Sequence, residues 1–318
     1  MSNNSAGGAP KDKGWLYSDV HDRPYPLKNP PPRMSIFKFG PFGDVVANLG
    51  KLVAQIVLSI ILFIMLFILL VPRPEQWGGD QIYLAVAEIV KLICITISVF
   101  IVVKAADESD IVTLGLRLNR QGFSDFLFGF AIVFSIFAIE FLVYLSANWI
   151  TVEHPAWESR SFASVFWNLI AVLLIFVFVG WSEELFSRGF QLRIISKGLN
   201  RPLGIIISSA IFSYLHRNNP GITIRDLCFI FLFGVIMCFA YVRSGQLWLA
   251  MGIHAGWDFF VTIFWGVPIS DLRLFHLFDI RLSYQPAFYF LMSIIELAMM
   301  MILIRAYTLD RKVEITDW

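Results

Sequence analysis

Residues 163–188 read ASVFWNLIAVLLIFVFVGWSEELFSR. The first 20 of them carry no charge, and then Glu183 and Glu184 stand side by side, followed by Arg188. A hydrocarbon core of about 30 Å asks for about 20 apolar residues in a helix, so 163–183 predicts a membrane span with a carboxylate at its end. An ionisable group in such a segment costs about 3 kcal/mol or more unless it is partnered or wetted. The pair of glutamates therefore marks a functional position.

The same length criterion, applied outward along the chain, predicts helices over about 52–71, 82–103, 126–147, 163–183, 203–216, 227–242, 247–266 and 287–304. The expected fold is all-α: a polytopic membrane bundle of about eight transmembrane helices. The fifth and sixth are short, as helices that line a cavity often are. The composition agrees, with 57% hydrophobic, 16% aromatic and only 15% charged residues. A net charge of +1 leaves no basic stripe for nucleic acid. The 31 phenylalanines read as packing and lipid-facing surface. Cys94, Cys228 and Cys238 lie in apolar segments without metal-type or disulfide-like spacing and read as small core residues.

The expected organisation is a flexible N-terminal tail over 1–45, a membrane domain over 46–306 and a C-terminal tail over 307–318. The first 40 residues are rich in Gly, Pro, Asn, Lys and Asp, without the apolar run of a signal peptide. Of the 25 Lys and Arg, 18 fall on the side of the N-terminus and 6 on the other, with Lys91 inside a helix. By the positive-inside rule both termini are cytoplasmic.

Two further polar pieces interrupt the apolar spans, Phe212-Ser-Tyr-Leu-His216 and His254-Ala-Gly-Trp-Asp258. Glu183 lies ten residues before Arg193, His216 fifteen after Arg201 and His254 eleven after Arg243. If those arginines mark the cytoplasmic surface, a rise of 1.5 Å per residue puts the three groups at depths of about 15, 22 and 16 Å. Packing of the fourth, fifth and seventh helices then brings them to one level.

Helical phase separates neighbours by about 100°, so Glu183 and Glu184 do not point the same way. Glu184 and Arg188, four apart, suit an ion pair; the competing reading lets Arg188 snorkel to lipid headgroups. Glu183 is left free for chemistry. Phe212 shares a face with His216, His254 with Asp258, and Gly252 and Gly256 form a Gly-x-x-x-Gly for close helix approach. A carboxylate among histidines suits a general base acting on water, with His254 and Asp258 steadying an oxyanion or orienting its donor. The alternative at this stage has Glu183, His216 and His254 ligating Zn²⁺.

The order Glu-Glu-x-x-x-Arg, Phe-x-x-x-His, His-x-x-x-Asn/Asp across about eight helices resembles the CPBP family of intramembrane proteases, which includes type II CAAX prenyl endopeptidases and bacteriocin-processing and immunity proteins. The motifs cover about residues 163–266. The resemblance implies an endopeptidase acting on a peptide or protein substrate at the lipid bilayer, in a bacterial cell membrane. It implies Glu183 as base, His216 holding the water, His254 and Asp258 on the oxyanion side, and Glu184, Arg188 and Phe212 in support. Asp258 stands where many members have Asn, and an ionised Asp cannot donate to an oxyanion, so the expectation is that it orients His254 or is itself protonated. Two other functions compete: a non-catalytic scaffold or immunity protein, and a proton-coupled transporter suggested by Glu88, Glu140 and Glu296. Glu88 and Lys91, three apart, read as a local ion pair, and Glu140 and Glu296 carry no assigned role. His21, His154 and His276 read as solvated loop or tail residues. Trp181, Trp248 and Trp257 read as interfacial anchors or pocket walls.

Overall fold

Each of the eight expected spans coincides with a helix in the computed structural model, which describes residues 41–70, 80–107, 111–219, 221–266, 274–283 and 286–311. The helices are α1 (Pro41–Leu70), α2 (Asp80–Asp107), α3 (Arg120–Ser146), α4 (Phe162–Glu184), α5 (Arg193–Gly198), α6 (Arg201–Leu215), α7 (Ile224–Ser244), α8 (Trp248–Trp265) and α9 (Pro286–Tyr307). Their ends follow local chemistry. Asn119, Ser161, Asn200 and Thr223 each accept a backbone N–H at a helix start. Gly245, at φ +70°, ends α7 in the left-handed region and lets α8 begin within a few residues.

Four expectations are revised. Six helical spans among the described residues, not eight, are long and apolar enough to cross a membrane: Val45–Ile68, Ala85–Ala105, Arg120–Ser146, Phe162–Gly198, Ile224–Ser244 and Phe290–Tyr307. These make the chain a multi-pass membrane protein. The two left over are α6, which at 15 residues reaches only about 22 Å, and α8, which carries His254 and Asp258. Helix α8 is buried on almost every side from Leu249 to Gly256, so protein, not lipid, surrounds its polar groups.

The second revision concerns where the fourth span ends, expected at residue 183. Helix α4 instead runs on through a π-helical segment, Leu185–Leu192, into α5. Ser187, Arg188 and Gln191 are buried in that segment. Their polarity hid the helix from hydropathy, because these side chains face other helices. Wide turns of this kind are frequent at functional sites.

Third, the fold is not purely helical. Ile150–Pro155 (β1) pairs antiparallel with Phe278–Leu282 (β2). The partners lie more than 120 residues apart, so no hairpin turn announces them. His154 sits exposed in β1, while half-buried His276 bonds Asp279 through Nε2 at 2.9 Å. Fourth, the expected N-terminal tail lies outside the described residues up to position 40, and residues 41–45 already belong to α1. Beyond α9, Arg311 grips buried Asp125 of α3 with both terminal nitrogens, at 2.6 and 2.9 Å; residues 312–318, and His21, lie outside the described residues.

The core is built around α8, packed against α3, α4 and α7. It includes Val133 and Phe137 of α3, Phe176 of α4, Met237 of α7 and Ile253 of α8. In lipid such packing is held by close contact rather than by expulsion of water. A Cβ on Gly252 would lie 2.1 Å from the Phe126 carbonyl oxygen, and one on Gly129 would lie 2.6 Å from that of Leu249. The glycines thus let α3 and α8 touch backbone to backbone. By contrast α1 turns Ile60, Ile61, Ile64, Met65 and Ile68 outward, as a lipid-facing helix does.

Candidate active site

Four helices supply the polar centre. Glu183 and Glu184 come from the end of α4, His216 from the residue following α6, His254 and Asp258 from α8, and Glu88 and Lys91 from α2. Glu183 Oε2 lies 3.8 Å from His216 Nε2 and 3.8 Å from His254 Nε2. Two imidazoles from different helices therefore face a single carboxylate oxygen.

Both rings are fixed from behind. His216 Nδ1 donates to the Phe212 carbonyl at 2.8 Å, a bond that ties the ring to the last turn of α6. His254 Nδ1 donates to Glu184 Oε1 at 2.7 Å. The same oxygen accepts from Arg188 at 2.7 Å, and Arg188 also donates to the Gly234 carbonyl of α7 at 3.2 Å. Its guanidinium lies 4.3 Å over the ring of Phe212. Arg188 is 1% exposed, so it forms the expected pair with Glu184 and does not snorkel to headgroups. The rings of Phe212 and Phe233 stand edge-on to His254 at 5.9 Å.

The two neighbouring glutamates do diverge, and they meet the His254 ring at its opposite nitrogens. Glu184 lies behind, fully buried. Glu183 lies in front with its side chain 24% exposed, beside His216 at 23% and Asp258 at 20%. Asp258 Oδ2 is 3.5 Å from His254 Nε2, on the front edge. The contact that orients His254 is therefore with Glu184, and Asp258 faces the open side.

Sequence reasoning missed α2. Lys91 Nζ lies 2.6 Å from Glu88 Oε2, as the spacing suggested, and also 3.4 Å from Glu183 Oε1. The signal available was a lysine in mid-span, the one basic residue that fitted neither side of the charge count. Trp181 of α4 donates to Thr96 of α2 at 3.0 Å and stands edge-on to Trp248 at 5.6 Å, which sets the register of α2 against the site. Trp257 packs between Phe137, Phe229 and Phe233. Glu140 and Glu296 bond each other between α3 and α9, apart from this centre.

The zinc alternative does not fit. Among the described residues no group of three or more His, Cys, Asp or Glu side chains is arranged to hold a metal ion. The ammonium of Lys91 already faces the Glu183 carboxylate, where a second cation would meet repulsion.

Comparison with known proteins bears on the same residues. The uncharacterized protein YyaK of Bacillus subtilis (strain 168) is 26% identical over 163 residues, covering 48% of this chain and 51% of that protein. The chain thus spans about half the length of the curated relative it matches. Residues 165–260 match the family model of the type II CAAX prenyl endopeptidase Rce1-like proteins. That segment contains Glu183, Glu184, Arg188, Phe212, His216, His254 and Asp258. Over residues 165–260, which hold every one of these side chains, the protein is therefore similar to the Rce1-like type II CAAX prenyl endopeptidases of the CPBP family.

Proposed function

We propose that this chain is an intramembrane endopeptidase that hydrolyses a peptide bond of a membrane-associated substrate through water activated by Glu183. The observation that carries this reading is the approach of two imidazole Nε2 atoms to one oxygen of Glu183, each at 3.8 Å. That separation exceeds a direct hydrogen bond and suits bridging by a water. Glu183 takes a proton from this water as its oxygen attacks the carbonyl carbon, while His216 holds the water in place. The tetrahedral oxyanion is met by His254, whose doubly protonated ring donates from Nε2 while Nδ1 stays on Glu184. Glu183 then gives its proton to the leaving nitrogen, and the C–N bond breaks to release an amine and a carboxylic acid, which loses its proton to water.

Glu184, Arg188 and Phe212 support the ring of His254 from the buried side, and Asp258 borders the open side at the same nitrogen. The substrate is a CAAX-type tail, in keeping with the family match, or a leader peptide. The membrane domain runs from Pro41 of α1 to the Arg311 contact with α3, and both termini are cytoplasmic, as the excess of basic residues on that side favours.

The test compares the membrane peptides of cells carrying native protein with those of cells carrying Glu183→Gln. A precursor accumulates with the variant and is cleaved by purified native protein. Native-rate cleavage of that precursor by a folded Glu183→Gln protein sinks the mechanism.

A further inference from the structure

The lysine in α2 has two partners where one suffices to neutralise it. An ammonium in mid-membrane needs a counter-charge, and Glu88, one turn away at 2.6 Å, supplies it. The contact with Glu183 Oε1 at 3.4 Å crosses to another helix. It engages the carboxylate oxygen that the histidines leave free.

The charges of the site divide into two groups. Behind His254, Glu184 and Arg188 form a buried pair, 0% and 1% exposed. In front, Glu88 and Glu183 both contact Lys91, and Asp258 stands at the edge of His254. A carboxylate that rotates about its last bond presents either oxygen to either neighbour. Pinned at Oε1 by Lys91, Glu183 has only Oε2 to present to the two imidazoles. Helix α2 packs against both α4 and the π-helical segment, so the pin is attached to a rigid element, and it lies outside residues 165–260 that match the family model.

We propose that Lys91 is a positioning residue for peptide hydrolysis, holding Glu183 by Oε1 as a carboxylate so that Oε2 is presented to water between His216 and His254. This rests on the peptidase reading above.

One arm of the test needs no substrate. Hydrophobic carbodiimides attack protonated carboxyl groups in membranes, and dicyclohexylcarbodiimide is the probe. Native protein and Lys91→Arg show little labelling at Glu183 by mass spectrometry, whereas Lys91→Met and the charge-neutral Glu88→Gln/Lys91→Met protein show several-fold more. Equal labelling of Glu183 in native and Lys91→Met proteins overturns the proposal, whatever the chain's activity. The double variant keeps this arm decisive should Lys91→Met misfold, since it leaves no unpaired Glu88 in α2.

The second arm uses the precursor that accumulates with Glu183→Gln. Loss of one charge-assisted contact lowers kcat about 10- to 100-fold, with KM within about twofold, and Lys91→Arg restores most of it. A rise in KM at unchanged kcat, or Lys91→Arg no better than Lys91→Met, also overturns it. Native-rate cleavage by Glu183→Gln instead refutes the peptidase reading, and the labelling result then still decides whether Lys91 holds Glu183.

Discussion

Replacing Arg188 with Met tests the buried half of the site. The guanidinium has three contacts: Glu184 at 2.7 Å, the Gly234 carbonyl at 3.2 Å and the face of Phe212 at 4.3 Å. Methionine fills much of the aliphatic volume, so the cost is mainly electrostatic. Glu184, with no exposed surface, is left with only the Nδ1–H of His254. Removing one partner of a buried ion pair costs about 3–5 kcal/mol, which at about 2 °C per kcal/mol for a large domain lowers the apparent Tm by about 8 °C. The assay is a thermal scan of Trp fluorescence in detergent at a fixed rate, since unfolding under these conditions is often irreversible. Glu184→Gln/Arg188→Met supplies the control: the amide oxygen still accepts from His254, and the buried carboxylate that lost its guanidinium is gone. This double variant regains about 2 kcal/mol, or about 4 °C, over Arg188→Met. Additive losses, agreeing within about 0.5 kcal/mol, refute the claim that Glu184 and Arg188 are coupled.

Gly252→Ala drives a Cβ to 2.1 Å from the Phe126 backbone oxygen and costs about 1–3 kcal/mol or more by overpacking. Gly50→Ala, with nothing within 4 Å of the new atom, is neutral or stabilises α1 by up to about 1 kcal/mol; the same thermal scan distinguishes the two. Arg311→Met leaves fully buried Asp125 with Gln121 and Tyr307, each at 2.9 Å, and an apparent Tm lower by about 2–6 °C is expected from the loss of a charge-assisted contact worth about 1–3 kcal/mol. An unchanged melting curve means the C-terminal clamp adds no stability.

The spans were legible because lipid imposes one rule on every crossing helix: enough apolar residues to traverse the hydrocarbon. The rule fails where protein replaces lipid as the surroundings. Helix α8 is sheathed by α3, α4 and α7, so it carries His254 and Asp258 at no cost in lipid exposure. The π-helical segment likewise buries Ser187, Arg188 and Gln191, whose polarity put them beyond the end of the fourth span. The ribbon of β1 and β2 escaped for another reason. Its two short strands are joined by pairing across more than 120 residues, and periodicity within either strand carries no information about the other.

Spacing located the three polar pieces and both local ion pairs, but not what each pair reaches beyond its own helix. Glu88 with Lys91 and Glu184 with Arg188 each look self-contained on a helical wheel, and each pair is indeed formed, at 2.6 and 2.7 Å. Both also reach outward, Lys91 to Glu183 and Glu184 to His254. In a low-dielectric interior an ion pair still carries a strong local field and spare hydrogen-bonding capacity, so pairing within one helix does not exclude a role in the next. The two local pairs are the attachments of the site: one fixes the proposed base from α2, the other fixes the imidazole from the π-helical segment. A helical wheel shows the short-range half of each arrangement, and only the packing of α2 on α4 and of α4 on α8 supplies the other half.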